Sequence, residues 1–68
     1  MDNFQVRKGS MQKSVNLPEG ATIAQVLQAA REAGMDIANP PEKVNGYVSN
    51  ISFSGSDLAP TNEVIVVS

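Results

Sequence analysis

The 68 residues predict an α+β fold in which one helix packs on one face of a mixed sheet of four or five strands. Three observations carry this. Period-2 alternation fills the N-terminal third, a single amphipathic segment follows it, and the chain closes on the β-branched run Val64-Ile65-Val66-Val67.

The elements follow in order. Phe4-Gln5-Val6-Arg7 alternates apolar and polar residues, and Lys8-Gly9-Ser10 supplies a turn. Alternation resumes with Met11, Lys13, Val15 and Leu17 on one face and Gln12, Ser14 and Asn16 on the other, until Pro18-Glu19-Gly20 stops it. The first unit is therefore a hairpin. Thr22 with Gln25 three residues later is a capping-box pattern, and Ile23, Val26, Leu27 and Ala30 recur at helical spacing. Gly34 suits a left-handed cap, with Met35 folding back, so the helix runs from about Ile23 to Ala33. Gln25, Gln28, Arg31 and Glu32 take its solvent side. Asp36 to Pro41 is a connector, since paired prolines cannot lie inside a helix.

Asn45-Gly46 between Lys43-Val44 and Tyr47-Val48 reads as a second hairpin with a type I′ turn. A bulged or longer turn fits the same residues, and the face taken by Tyr47 depends on which is adopted. Ile51 and Phe53 are expected in the core, Gly55-Ser56-Asp57 turns the chain, Leu58 packs, and Pro60-Thr61-Asn62 turns it again. Val64 to Val67 then lies beside Phe4 to Arg7 in parallel, which gives both strands two neighbours. One domain over residues 1–68 accounts for everything, with no repeat or linker.

Composition narrows function. Without cysteine or histidine the chain lacks Cys-His and Ser-His nucleophilic machinery, thiol redox chemistry and the usual ligands of zinc, haem or iron-sulfur clusters. Its seven acidic residues are dispersed, with no D-x-D-x-D-G run to hold calcium. Carboxylate, lysine and tyrosine chemistry stays open on composition alone; the expectation is of a non-enzyme with no metal and no cofactor. A net charge of −2 and a pI near 4.7 argue against nucleic acid, whose binding draws on phosphate neutralisation. Arg7, Lys8 and Lys13 form at most a small basic patch around one turn. No apolar run approaches the roughly 18 residues of a membrane span, and no signal pattern opens the chain, so a cytoplasmic location is expected. At 7.2 kDa the fold should expose roughly 4,100 Å² and bury about 60% of the open chain's surface, which makes a thin core.

The order ββαβ(β)β is the β-grasp layout. Val15-Asn16-Leu17-Pro18-Glu19-Gly20-Ala21-Thr22-Ile23-Ala24-Gln25-Val26-Leu27, then Val44-Asn45-Gly46-Tyr47-Val48, then Leu58 to Val66, resemble the ubiquitin-like sulfur carriers. That family includes the small subunit of molybdopterin synthase and the sulfur carrier of thiamine synthesis. The resemblance implies a β-grasp fold and, in the family, a flexible tail ending in Gly-Gly whose carboxylate is activated for sulfur transfer. Glycine serves there because only it passes a narrow enzyme channel without a side chain. This sequence closes on Ile65-Val66-Val67-Ser68, and Pro60-Thr61-Asn62-Glu63 stands where the family has Asp-Gly-Asp.

If Val64 and Val66 face the helix, Ile65 and Val67 make an apolar patch on the uncovered sheet face, with Gln5 and Arg7 beside them and Tyr47 nearby. The leading expectation is a non-catalytic ubiquitin-like module that binds a protein partner through that face, at Ile65, Val67, Arg7, Gln5 and Tyr47, or through an edge strand. A sulfur-carrier relative in cofactor biosynthesis and a self-assembling small structural protein are the alternatives. On this reading Ile65→Asp spares the fold and Val66→Asp destroys it.

Overall fold

The computed structural model describes residues 1–38 and 41–68, so Asn39 and Pro40 of the expected connector lie outside the described residues. Two long strands open the chain, β1 at Asp2–Lys8 and β2 at Met11–Leu17, paired antiparallel around the Gly9 turn with Phe4 opposite Val15. The helix α1 spans Ile23–Glu32, followed by the short strands β3 at Val44–Gly46 and β4 at Val64–Val67. The four make a mixed sheet in the order β2-β1-β4-β3, in which β4 runs parallel to β1 and antiparallel to β3. The fold is therefore α+β, with one helix among the described residues. Its accessible area of 4227 Å² matches that expected of a chain this small.

The ends of α1 account for its boundaries, because the first four N–H groups and the carbonyls of Ala30 and Arg31 find partners there. Thr22 and Gln25 close the capping box: the Thr22 N–H donates to Gln25 Oε1 at 2.9 Å and the Gln25 N–H to Thr22 Oγ1 at 3.4 Å. The two donors between them go to the 55–57 loop, Ile23 to the Asp57 carbonyl at 2.9 Å and Ala24 to the Gly55 carbonyl at 3.0 Å. At the other end Gly34 has φ of 105°, its N–H donates to the Arg31 carbonyl, and the Met35 N–H donates back to the Ala30 carbonyl. That pair of bonds is a Schellman cap, and Met35 completes it by burying its side chain.

Between helix and sheet sits one apolar cluster. Phe4 and Val6 of β1, Val15 of β2, Val44 of β3, and Ile65 and Val67 of β4 meet Ile23, Val26, Leu27 and Ala30 of α1, closed by Ala21, Met35 and Ile37. Among the described residues no charged or polar residue is buried. Three cations gather just beyond the C-terminal end of the helix: Lys8 donates to the Asp36 carbonyl, and Arg31 donates to the carbonyls of Ile37 at 2.9 Å and Ala38 at 2.6 Å, while Lys13 lies alongside Gly34.

Several sequence expectations are corrected. Asn45-Gly46 is not a turn. Both residues lie in β3, paired with Val66 and Ile65 of β4, and the chain reverses at 47–50, where Asn50 takes the left-handed conformation with φ of 57°. The return segment closes a loose hairpin: the Gly46 N–H donates to the Ile51 carbonyl, Asn45 bridges to Ser52, and the Phe53 N–H donates to the Val44 carbonyl at 2.8 Å. Phe53 packs at the edge of the core, whereas Ile51 and Leu58 are exposed. Leu58 is held out because its segment is spent on the backbone, bridging to Thr22 and bonding Ala59 N–H to the Ala21 carbonyl, so Ala59 packs in its place.

Candidate functional site

The largest correction falls on β4. Phe4 and Val6 point at the helix, and the parallel register sets Val6 beside Ile65, so Ile65 shares their face and is fully buried, as is Val67 at 2% exposure. Ile65 and Val67 are core residues. Val64 and Val66, half-buried, take the outward positions instead, next to Gln5 and Arg7 respectively. A one-residue change of parity moves the whole set to the other face.

The uncovered face therefore consists of Asn3, Gln5 and Arg7 on β1, Gln12, Ser14 and Asn16 on β2, Asn45 on β3, and Val64 and Val66 on β4. It is an amide-rich surface with a narrow valine strip. Four of its five amides are paired across strands, Gln12 Nε2 donating to Gln5 Oε1 at 2.7 Å and Asn3 Nδ2 to Asn16 Oδ1 at 3.3 Å.

Tyr47 joins this face. Its N–H donates to the Val64 carbonyl at 2.9 Å, which continues the alternation of β3 so that its side chain emerges beside Arg7. The Arg7 guanidinium lies 5.9 Å from the centre of the Tyr47 ring, and its Nε donates to the Gly9 carbonyl at 3.1 Å. Three of the five expected contact residues, Gln5, Arg7 and Tyr47, are thus brought together, and two, Ile65 and Val67, are not.

Sequence reasoning missed the turn that carries Tyr47. Tyr47, Val48 and Ile51 are all exposed there, at 60%, 77% and 57%. The turn is nonetheless fixed, because Glu63 reaches across to it: Oε1 accepts from the Val48 and Ser49 N–H groups, both at 2.9 Å, and Oε2 accepts from the Ser49 hydroxyl at 2.8 Å. The Ser49 main-chain and hydroxyl bonds, with that of Val48, hold the Glu63 carboxyl below its ordinary pKa. Gly46 makes room for this, since a Cβ there would stand 2.5 Å from both Glu63 Oε1 and Ser49 Oγ. The glycine answers a close approach, and its partner Glu63 lies 17 residues away, so only the pairing of β3 with β4 reveals it.

Among the described residues no group of three or more acidic side chains could hold a metal ion, and no helix is long and apolar enough to cross a membrane. Compared with protein-family models, with curated proteins and with solved structures, the chain finds no match. Its reading accordingly stands on its own residues: a four-stranded α+β unit presenting one pinned, apolar-tipped turn beside an arginine.

Proposed function

We propose that the chain is a ubiquitin-like β-grasp module that performs no chemistry itself and binds a protein partner in the cytoplasm. The contact is made by the uncovered sheet face around Arg7 and Tyr47. The supporting observation is the exposure of Tyr47, Val48 and Ile51 on a turn that Glu63 holds rigid. Aromatic and apolar side chains standing out on a fixed backbone lose little entropy when a partner covers them, and an aromatic beside an arginine is a common composition of the energetic centre of an interface. The order ββαββ, with a parallel central pair and one face covered by a helix, supports the β-grasp assignment. The edge strand β2 offers a second mode, addition of a partner strand, because no backbone bond of the described residues engages its outer side.

A photo-reactive phenylalanine analogue placed at position 47, and in parallel at the exposed helix position Gln28, tests the face in native lysate. A discrete protein adduct is expected from position 47, weakened by Val66→Asp and absent from position 28. Identical adducts from both positions, or none from position 47, would overturn the reading.

A further inference from the structure

Arg7 is the only charged side chain at the outward positions of the four strands; the other strand residues of that face are asparagine, glutamine, serine and valine, with Tyr47 beside them. The neighbouring amides are committed to each other, Gln5 to Gln12 and Asn3 to Asn16. Glu63 is committed to Ser49 and Val48, and no carboxylate among the described residues bonds Arg7. Its guanidinium is held over the Tyr47 ring with Nε on the Gly9 carbonyl, which leaves the terminal nitrogens as a fork with no partner among the described residues. An arginine so oriented forms a bidentate bond with a carboxylate at less entropic cost than a free one. Beside it Tyr47 offers its exposed ring on the pinned turn.

Resting on the binding-face reading above, we propose that this face recognises a protein segment in which an Asp or Glu side chain adjoins an apolar one. The carboxylate pairs with Arg7 and the apolar side chain covers the Tyr47 ring. A polyanion fits poorly, because the face supplies one cation and the chain carries a net charge of −2.

The test is selection of phage-displayed random dodecapeptides on the wild-type protein, with the amide spectrum of each variant checked for an unchanged fold. Selected peptides are expected to place Asp or Glu next to Leu, Ile, Val, Phe or Met. Their affinity should fall at least about tenfold with Arg7→Gln, as expected when one partner of a charged hydrogen-bonded pair is removed. Arg7→Lys should retain part of it, and Lys8→Gln should leave it unchanged. Peptides that bind this face, losing affinity with Val66→Asp, yet lack an acid and ignore Arg7→Gln, would overturn the carboxylate recognition and leave the binding face standing. Peptides that map only to the helix side, or none at all, would overturn both.

Discussion

Val6 fixes the side on which each residue of the closing strand emerges. It is fully buried against α1, it pairs in register with Ile65, and neighbours across a parallel ladder point the same way, so Ile65 must be buried and Val66 must face out beside Arg7. An aspartate at 65 would stand in an apolar cluster that contains no polar side chain to receive it. We expect Ile65→Asp to cost about 3–5 kcal/mol, which a domain this small cannot absorb, and to leave the chain unfolded. Val66→Asp, half-buried on the open face, should cost about 1 kcal/mol and keep the fold. Urea unfolding followed by circular dichroism separates the two, and a folded Ile65→Asp with an unfolded Val66→Asp would reverse the assignment. The sequence reading placed the opposite pair inside, for a physical reason. Val64-Ile65-Val66-Val67 has no alternation, so the run announces a strand without announcing its parity. Phe4-Gln5-Val6-Arg7 alternates, and there the inward pair is legible directly.

At the scale of the element, the 47–50 turn depends on an acid from another part of the chain. Glu63 accepts three bonds that exist in full only while it is ionised, and they hold its pKa below the ordinary glutamate value. A carboxyl whose folded pKa is lowered contributes stability that is complete above the unfolded value and is lost as pH falls through the folded one. The turn should therefore stay closed at neutral pH and loosen only under acid conditions, below the ordinary carboxylate range. The Val48 and Ser49 amide resonances should titrate together with a midpoint below that of an unperturbed glutamate. Glu63→Gln should abolish the titration, and Gly46→Ala, by crowding the carboxylate, should give the acid-like shifts at neutral pH. A midpoint at or above the ordinary value would show that these bonds do not form. Helix α1 makes the contrast in legibility: its capping box and glycine cap use residues within a few positions of one another, so local spacing discloses both ends. The turn is invisible to such reasoning because Asn45-Gly46 mimics a tight reversal while Gly46 in fact answers Glu63 across the sheet.

For the whole molecule, the sheet order leaves its two edges in different states. The outer side of β3 is taken by residues 51–53, through the bonds of Gly46 to Ile51 and of Val44 to Phe53. The outer side of β2 meets no backbone among the described residues, and a seven-residue open edge is a template on which a second copy could pair. Lys13, in the middle of that edge, points to the helix-covered side opposite Val6, with its stem along Gly34. A second β2 added there would bring its own strand over this ammonium group and strip it of water, whereas every apolar neighbour would gain from the same burial. We expect Lys13 to oppose pairing with a second copy, which carries the same lysine at its own edge, while a partner strand that sets an acid opposite it can still add. Lys13→Val should retain the fold and extend the apolar face to the edge, so that sedimentation shows a monomer for the wild type at all concentrations and a mass that rises with concentration for the variant. If the variant stays monomeric from low to high micromolar protein, the open edge is protected by something other than Lys13. If the wild type itself associates, the edge is already a self-pairing surface, and the exposed turn at Tyr47 must then be tested for partners in the associated state.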